Sequence, residues 1–319
     1  MTDPLAQMPA HFLSSTDLDG EQVVALLDLA DELKAERAER VAAGNQLERD
    51  TLAGRTVAMV FEKPSTRTRV SFQVAVAELR GHPLALSSAE LQLGRGETVA
   101  DTGAVLSRYV HGIVVRTFGQ DRIEELAEAA TVPVVNALTD LEHPCQALAD
   151  LQTFREVHGD FAGRSLAYVG DGNNVTHSLL LAGASVGLSV RVGHPDGYAP
   201  DAAIVRRAQE LADATGASIE VTTDPVAAVK GADAVYADVW TSMGQEDEAE
   251  DRLEPFVPYR VTSELLAHAA ADAVFLHCLP AHRGEEVTAE VIDGPASRVF
   301  DQAENRLHAQ KALLALLLP

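Results

Sequence analysis

Lysine and cysteine are scarce in this sequence of 319 residues, and long apolar runs are missing from it. Only four of its 25 basic residues are lysine, and 48 acidic residues bring the formal net charge to −23. So acidic a chain repels nucleic acids and anionic membranes, which argues against both as partners. An excess of acid with few lysines suits a cytosol of high salt, where ions screen the self-repulsion. An ordinary acidic enzyme is the alternative.

The two cysteines, Cys145 and Cys278, are too few for a disulfide framework. No apolar run approaches the roughly 20 residues that a membrane-spanning helix needs. The first residues also lack the basic start and apolar core of a signal peptide. We therefore expect a soluble, cytoplasmic protein without a membrane partner, and the chain is long enough for two domains.

Short apolar runs alternate with helical patterns along the chain, which predicts βαβ units. The predicted strands are 55–61, 83–87, 112–116, 132–136, 165–170, 188–192, 218–222, 234–239 and 273–277. The predicted helices are 20–43, 66–80, 98–109, 121–130, 144–157, 176–187, 200–215, 286–292 and 304–318. The connection 241–262 lacks clear periodicity and is predicted to be a functional lid or a disordered loop. The expected fold class is α/β, with two doubly wound parallel-sheet domains joined by long helices and the active site in the interdomain cleft.

The stretch Phe61-Glu-Lys-Pro-Ser-Thr-Arg-Thr-Arg69 is the strongest candidate for a phosphate site. It follows a predicted buried strand and enters a helix that begins near Thr66, with Ser65 as the predicted N-cap. Backbone N–H groups at a helix start, hydroxyl groups and guanidinium groups all suit a phosphate. A well-capped surface helix with two solvated arginines is the alternative.

Further polar residues of the first half and of the last helix stand at predicted strand ends or helix starts. Arg116 ends a buried strand, where an open α/β sheet keeps its site, although an arginine leaving the sheet edge for solvent is the alternative. His143 opens a helix with Gln146 one turn away, and either side chain can donate to a carbonyl oxygen. A purely structural histidine is the alternative there. Arg306, predicted in the first turn of the last helix, is a further candidate for an anion.

Two motifs of the second half point to a polar acceptor. Gly170-Asp-Gly-Asn-Asn174 lacks the third glycine of a dinucleotide fingerprint because Val175 stands in its place. The side chains of Asn173 and Asn174 are then expected to be free for a polar ligand. Asp238 ends a strand and precedes the acidic run 245–251, an environment that suits an amine rather than a dicarboxylate.

Cys278, in His277-Cys-Leu-Pro280, follows the predicted strand 273–277. A thiol there can be a nucleophile, a metal ligand or a polar lining group. Two histidines and one cysteine without a second thiolate make a poor zinc site, and nucleophilic catalysis would need a base and an oxyanion hole aimed at the sulfur. We favour a lining role for Cys278, and we expect a cis peptide bond before Pro280.

Taken together, these segments resemble the aspartate/ornithine carbamoyltransferase family nearly from end to end. The matching segments are Ser65–Thr68, Leu93–Glu97, Arg116, His143–Gln146, Gly170–Asn174, Asp238–Gly244, His277–Pro280 and Glu304–Arg306. Each segment alone is weak, whereas the whole set in the family's order is specific.

The resemblance implies one substrate for each of two domains. Residues 1–142, with 303–319 packed back on them, would bind carbamoyl phosphate, and residues 143–302 would bind ornithine. The implied carbamoyl-phosphate contacts are Ser65, Thr66, Arg67, Thr68, Gln92, Arg116, His143, Gln146, Cys278, Leu279 and Arg306. The implied ornithine contacts are Asn174, Asp238, Ser242 and Met243, and the implied catalytic residues are Arg67, Arg116, His143, Asp238 and Cys278. Metals and cofactors are not required, and a loop with Gln92 that reaches a neighbouring subunit implies a homotrimer or a multiple of trimers.

The activity that the resemblance implies is transfer of a carbamoyl group from carbamoyl phosphate to the δ-amine of ornithine, giving citrulline and phosphate. Arg67 and Arg116 would offset the phosphate charge, and His143 would donate to the carbonyl oxygen as it becomes an oxyanion. Asp238 and Cys278 would orient the amine. Aspartate is the nearest alternative acceptor, followed by acetylornithine and putrescine. Outside the family, the alternatives are a dinucleotide-dependent dehydrogenase and an inactive binding subunit.

Overall fold

The computed structural model of the chain describes residues 4–44, 49–87, 91, 96–241 and 249–318, except for the side chains of 249–251. The chain divides into a first unit, residues 1–152 with 304–319, and a second unit, residues 153–303. The predicted boundary at 142/143 falls before helix α5 (Pro144–His158), whereas the observed division falls inside that helix. Among the described residues, no helix combines the length and the apolar character needed to cross a membrane.

The first unit contains a four-stranded parallel sheet in the order β2-β1-β3-β4. Its strands are β1 (Thr56–Phe61), β2 (His82–Ser87), β3 (Gly112–Arg116) and β4 (Val134–Leu138). Its helices are α1 (Gly20–Ala42), α2 (Arg67–Glu78), α3 (Val99–Leu106), α4 (Gln120–Ala129) and the first part of α5. β1 and β3 are buried because their alternate apolar side chains pack on the apolar face of α4, which carries Ile123 and Leu126.

The second unit contains a five-stranded parallel sheet in the order β7-β6-β5-β8-β9. Its strands are β5 (Ser165–Val169), β6 (Ser189–Gly193), β7 (Ile219–Thr222), β8 (Ala234–Ala237) and β9 (Val274–His277). Its helices are α6 (Asn174–Ser185), α7 (Ala202–Thr215), α8 (Pro225–Val229), α9 (Ala249–Phe256), α10 (Ser263–Leu266) and α11 (Ala289–Ile292). The last helix, α12 (Val299–Leu317), begins in the second unit and continues into the first. The predicted fold class, α/β with two parallel-sheet domains, is confirmed.

Local sequence explains several helix boundaries. Asp19 and Gln22 form a reciprocal capping box at the start of α1. Asp201 accepts hydrogen bonds from the first turn of α7, and Gly216 ends that helix at φ +81, a left-handed conformation that glycine adopts without strain.

Three predicted elements of the second half are corrected by the structure. The connection 241–262 is not a plain loop, because α9 and a 3₁₀ turn at Val257–Tyr259 lie within it. The predicted helix 286–292 is shortened to α11, since Val287 forms a bridge with Val261 instead. The final helix begins at Val299, whose buried side chain belongs to the core of the second unit, and not at the predicted residue 304.

Candidate active site

Three adjacent strands of the first unit end at the same edge of their sheet. Phe61 of β1 lies beside Arg116 of β3, which lies beside Leu138 of β4. Backbone pairing continues past the strand ends, because the N–H of Glu62 donates to the oxygen of Arg116 (2.9 Å) and that of Thr117 to the oxygen of Leu138 (3.0 Å). The loops that follow these strands therefore lie side by side. Arg116 ends β3, and the segments that follow the strands carry Ser65 to Thr68 and His143.

Three guanidinium groups act on the imidazole of His143. Burial lowers the pKa of His143 well below its usual range, and the positive charges of Arg306, Arg116 and Arg67 lower it further. His143 and Arg116 are each 5% exposed, and Arg306 is 3% exposed. A neutral imidazole can donate one hydrogen bond without adding positive charge. This group therefore combines three positive charges with a neutral donor.

The start of α2 differs in detail from the prediction. The helix begins at Arg67, so its N-cap residue is Thr66 and not the predicted Ser65. Thr66 has helical backbone angles (φ −84°, ψ −58°) and makes no side-chain cap hydrogen bond. Ser65 is half-buried and Thr66 is exposed. The helix start presents backbone N–H groups beside these hydroxyls, which is a geometry suited to an oxyanion.

Arg306 reaches the same helix from α12. Its Nη2 donates to Oγ1 of Thr68, and both side chains are buried. Because α12 begins at Val299, Arg306 lies beyond the second turn of that helix, and its predicted place in the first turn is wrong. The contact nevertheless ties the C-terminal helix to the candidate phosphate site.

Helix α5 places two buried polar side chains directly after His143. Nε2 of Gln146 donates to Oδ1 of Asp150 (2.7 Å), and within the described part of the chain Oε1 of Gln146 accepts no hydrogen bond. The thiol of Cys145 donates to the oxygen of Asn136 (3.2 Å), and burial raises the pKa of Cys145 to about 12. Gln146 therefore has an acceptor atom available, whereas Cys145 is an inert thiol.

Two residues without a predicted role, Glu62 and Lys63, join the loops of this edge. Thr117 Oγ1 donates to Oε1 of Glu62 (2.7 Å). Lys63 forms an ion pair with Asp140, and its ammonium lies 4.7 Å from the centre of the Phe118 ring. The sequence feature that could have identified Glu62 and Lys63 is their position, because both are polar residues that directly follow a buried strand.

The second unit repeats this arrangement at the edge where β5, β8 and β9 end. Tyr168 of β5 lies beside Tyr236 of β8, and Ala237 lies beside His277 of β9. The residues that follow these strands are therefore neighbours. They are the loop 170–174, Asp238, and the pair Cys278 and Leu279.

Asp238 is the centre of this second group. Its Oδ1 accepts hydrogen bonds from Sγ of Cys278 (3.0 Å) and from the N–H of Val239 (2.8 Å), and its Oδ2 accepts one from Nδ2 of Asn173 (2.8 Å). The carboxylate is buried and held by donors from the ends of all three strands. Cys278 thus contacts Asp238 directly, which fits a lining thiol.

The asparagines of the 170–174 loop differ from the expectation that both are free. Oδ1 of Asn173 accepts from the N–H groups of Val175 (2.9 Å) and Thr176 (3.2 Å), so Asn173 is the N-cap of α6. Its amide nitrogen donates to Asp238, so both ends of the Asn173 side chain are engaged in protein contacts. Asn174 is half-buried at the first position of α6.

Gly172 makes room for a neighbouring backbone. A Cβ atom there would lie 2.2 Å from the nitrogen of Pro200 and 2.4 Å from the carbonyl carbon of Ala199. This contact explains the glycine without a bound dinucleotide.

Asp171, in the same loop, forms a buried ion pair that sequence reasoning missed. Nη1 of Arg252, from α9, donates to Oδ2 of Asp171 (2.8 Å) and to the oxygen of Trp240 (2.9 Å). The guanidinium carbon lies 5.0 Å from the centre of the Tyr198 ring. Burial raises the pKa of Asp171, Arg252 opposes that shift, and the charge of Asp238 adds to it. Arg252 therefore balances the charge of Asp171.

The turn after β9 is held by His277. The N–H of Leu279 donates to Nδ1 of His277 (2.8 Å), and Nε2 of the same ring lies 3.3 Å from Oε1 of Glu286. Leu279 has φ +58, and its peptide bond to Pro280 is cis, as predicted. Both ring nitrogens of His277 face protein atoms.

The side chains of Asp238, His277 and Cys278 offer ligand atoms within 4.8 Å of one another. Nδ1 of His277 already accepts from Leu279, and the thiol is bonded to Asp238. A metal bound by this thiol would have to displace it from Asp238, so the arrangement favours the lining role for Cys278 over a metal site.

Some predicted residues lie outside the described part of the chain: Gln92, Ser242, Met243 and the acidic side chains of 245–251. Cys278 and Leu279, which the resemblance assigns to carbamoyl phosphate, belong to the second unit.

Two domain families match the chain. Residues 10–156 match the domain described as "Aspartate/ornithine carbamoyltransferase, carbamoyl-P binding domain". Residues 162–317 match the domain described as "Aspartate/ornithine carbamoyltransferase, Asp/Orn binding domain". The two matches cover most of the sequence.

Whole-length relatives agree with these matches. The ornithine carbamoyltransferase of Parafrankia sp. (strain EAN1pec) is 60% identical over 308 residues, covering 97% of this chain and 96% of the relative. That of Methanothermobacter thermautotrophicus is 57% identical over 308 residues, covering 97% and 98%. The solved structure of ornithine carbamoyltransferase from Pyrococcus furiosus is similar with a TM-score of 0.91 at 52% identity, covering 97% of this chain and 96% of that one.

Proposed function

The chain belongs to the aspartate/ornithine carbamoyltransferase family, and from that premise we propose that it transfers the carbamoyl group of carbamoyl phosphate to the δ-amine of L-ornithine, giving L-citrulline and phosphate. The family resemblance of the sequence is thereby confirmed. The observation that supports the activity most strongly is the group formed by His143 with Arg67, Arg116 and Arg306. Fixed positive charge suits the phosphate, and a neutral buried donor suits the carbonyl oxygen beside it.

The first unit binds carbamoyl phosphate. The three arginines and the start of α2, with Ser65, Thr66 and Thr68, hold the phosphate oxygens. His143 donates to the carbonyl oxygen, and its lowered pKa keeps the imidazole neutral, so that it acts as a hydrogen-bond donor and not as an acid. Oε1 of Gln146, which has no other donor among the described residues, accepts from the carbamoyl amine group. The carbamoyl carbon is then fixed in position and polarised.

The second unit binds ornithine. The carboxylate of Asp238 accepts from an amino group of the substrate, and Cys278 and Leu279 line the same strand end. Asn174 contributes from the start of α6, and Ser242 and Met243 contribute from the segment after Trp240. An aspartate acceptor would instead place its extra carboxylate near Asp238, where like charges repel. The acceptor is therefore a diamino acid and not a dicarboxylate.

The chemical step is a single addition and elimination. The deprotonated δ-amine attacks the carbamoyl carbon, and the negative charge that develops on the carbonyl oxygen is stabilised by His143 and Arg116. The C–O bond to phosphate then breaks, and the leaving phosphate accepts the proton that the attacking nitrogen releases. Each step has a reverse, so the reaction can serve the synthesis or the breakdown of arginine.

The test is a substrate panel with purified protein. Carbamoyl phosphate is supplied with ornithine, aspartate, acetylornithine or putrescine, and the ureido product is measured colorimetrically. Product with ornithine and little with the other three is expected. Faster turnover of aspartate would refute the proposed acceptor, and no product with any amine would refute the activity.

A matched pair of variants tests the phosphate site. Arg67→Ala should abolish carbamoyl transfer because it removes one of the charges around His143. Arg69→Ala, two residues later and exposed, should retain most of the activity. Equal losses in the two variants would contradict a phosphate site at Arg67.

We further propose that the enzyme is a homotrimer or a multiple of trimers, with Gln92 reaching the site of a neighbouring subunit. In support, β2 is an edge strand of its sheet and ends at Ser87, shortly before Gln92. Gln92→Ala and Arg67→Ala proteins should each be inactive alone. Mixing them should restore activity, because a mixed trimer contains sites with an intact Arg67 from one subunit and an intact Gln92 from its neighbour. No recovery after subunit exchange would contradict a shared site.

We also propose a cytoplasmic enzyme adapted to high salt. The support is the net charge of −23 together with the scarcity of lysine. Unfolding measured across a salt series up to molar potassium chloride should show stability that rises with salt. A flat or falling series would reject the adaptation.

A further inference from the structure

Glu142, the residue before His143, is a buried carboxylate outside the chemistry proposed above. It is 3% exposed. Oγ of Ser14 donates to its Oε1 (2.7 Å), and the N–H of Ser15 donates to its Oε2 (2.8 Å), from 128 and 127 positions away in the sequence. Both carboxylate oxygens are therefore held by a distant part of the chain.

These donors belong to the segment 11–15, which is fixed to the edge of the first sheet. The N–H of Phe12 donates to the oxygen of Val134 (2.8 Å), and the oxygen of Phe12 accepts from the N–H of Asn136 (2.7 Å). Nδ2 of Asn136 also donates to the oxygen of Leu13 (2.8 Å). Phe12 is buried and pairs in parallel with β4. The segment is thus held against β4 by backbone hydrogen bonds, and the donor groups of Ser14 and Ser15 have fixed positions.

The backbone of Glu142 is fixed as well. The N–H of Thr139 donates to the oxygen of Glu142 (2.8 Å), and the N–H of Glu142 donates to Oγ1 of Thr139 (3.1 Å). That hydroxyl donates in turn to Oε1 of Gln120 in α4 (2.8 Å). On the other side of His143, Pro144 has a restricted φ angle. The main-chain position of His143 is therefore determined from both sides.

We propose that Glu142 is a positioning residue for His143 and that the segment 11–15 acts on the reaction through it. This inference rests on the proposed role of His143 at the carbonyl oxygen. A misplacement of about 1 Å in a group that acts on the transition state can cost about 100-fold in rate.

The expected effect falls on kcat more than on the KM for carbamoyl phosphate. The hydrogen bond from His143 strengthens as the oxyanion develops, whereas the arginines bind the phosphate in the ground state as well. If Glu142 were only structural, its replacement would lower the amount of folded enzyme and would not lower kcat more than it changes KM.

A double-mutant cycle tests the proposal. We expect Glu142→Ala to lower kcat about tenfold in the otherwise natural enzyme and less than about twofold in a His143→Gln background, where no imidazole remains to be positioned. Glu142→Gln keeps the side-chain volume and one acceptor oxygen, so its kcat should lie between those of the natural enzyme and of Glu142→Ala. An unchanged kcat, or the same factor in both backgrounds, would overturn the positioning role.

Glu78→Gln is the matched control. Glu78 is another buried carboxylate of the first unit, held by Nε of Arg37 (2.9 Å) and Nζ of Lys311 (2.7 Å). Its replacement should change kcat by the same factor in both backgrounds. If Glu142→Ala does not fold, Ser14→Ala removes one donor and enters the same cycle. An inactive natural enzyme would refute the proposed function, whereas an active one without coupling refutes only the positioning role.

Discussion

His308 lies buried in α12, and its surroundings oppose protonation. Burial, together with nearby positive charges, lowers the pKa of His308 from its ordinary value of 6.5 to about 3. The charges are those of Lys311, Lys34 and Arg37. The negative charge of Glu78 opposes the shift without reversing it. Glu304 lies 3.5 Å from Nε2, but its side chain is 50% exposed, so solvent screens it. The histidine is therefore neutral in the folded protein at pH values where it is charged in the unfolded chain.

The consequence is a loss of stability in mild acid. As the pH falls below 6.5, the unfolded chain takes up a proton at His308 and the folded chain does not until about pH 3. Across that window the free energy of unfolding falls by about 1.4 kcal/mol per pH unit. Between about pH 7.5 and about pH 4.5 this single group accounts for a loss of roughly 2.7 kcal/mol.

Urea unfolding of the natural protein and of His308→Gln, at both pH values, measures this loss. Glutamine does not titrate in this range, and its packing cost is the same at both pH values, so it cancels in the comparison. The natural protein should lose roughly 2.7 kcal/mol more than the variant on acidification. His268→Gln, at an exposed position of the second unit, should behave like the natural protein. Equal losses in the natural protein and in His308→Gln would refute the reasoning.

Three further outcomes are expected. A thiol reagent should modify Cys278 quickly and leave Cys145 intact in the native protein, because Cys145 is buried with a pKa of about 12, and fast loss of both thiols would contradict this. Cys278→Ala should raise the KM for ornithine and lower kcat without abolishing turnover, whereas a trapped carbamoyl-cysteine would indicate covalent catalysis. Arg306→Gln should raise the KM for carbamoyl phosphate at least tenfold, on the order of one charge-assisted hydrogen bond, and leave the KM for ornithine nearly unchanged. An unchanged KM for carbamoyl phosphate would remove Arg306 from the phosphate site.

Most strands were predictable because they are short apolar runs that are buried almost throughout, as in β1, β3, β5, β8 and β9. The strands β2 and β7 are more exposed. The predicted strand 112–116 coincides with β3, and the predicted strand 132–136 is displaced by two residues from β4, whose pairing with β3 begins at Val134. Parallel sheets covered by helices leave this signal in local sequence, since their strands are continuously apolar.

Helix α9 and the start of α12 were not predictable in the same way. α9 contains Pro255 and is fixed by the buried ion pair of Arg252, so its stability comes from contacts between distant residues and not from an apolar stripe. Val299 begins α12 in the core of the second unit, which local periodicity does not show.

In the candidate site, too, some features follow from local sequence and others from contacts between distant residues. Position at a strand end identified Arg116, Asp238 and Cys278, because parallel strands bring their carboxyl ends to one edge. The partners of these residues could not be inferred, since a bond such as that between Asn173 and Asp238 joins loops 65 positions apart. Local sequence therefore predicts which residues stand at the edge, and the structure adds which of their atoms are already occupied.

The ion pair between Arg252 and Asp171 matters for any attempt to change which acceptor substrate the enzyme uses. The second unit already contains a buried guanidinium that forms an ion pair with Asp171, whose pKa the charge of Asp238 also raises. Asp171→Asn would remove that carboxylate without adding a base, and the loss of one partner of a buried ion pair costs about 3–5 kcal/mol. An anionic acceptor could offset part of that cost, so a change of substrate class would begin with the removal of a negative charge.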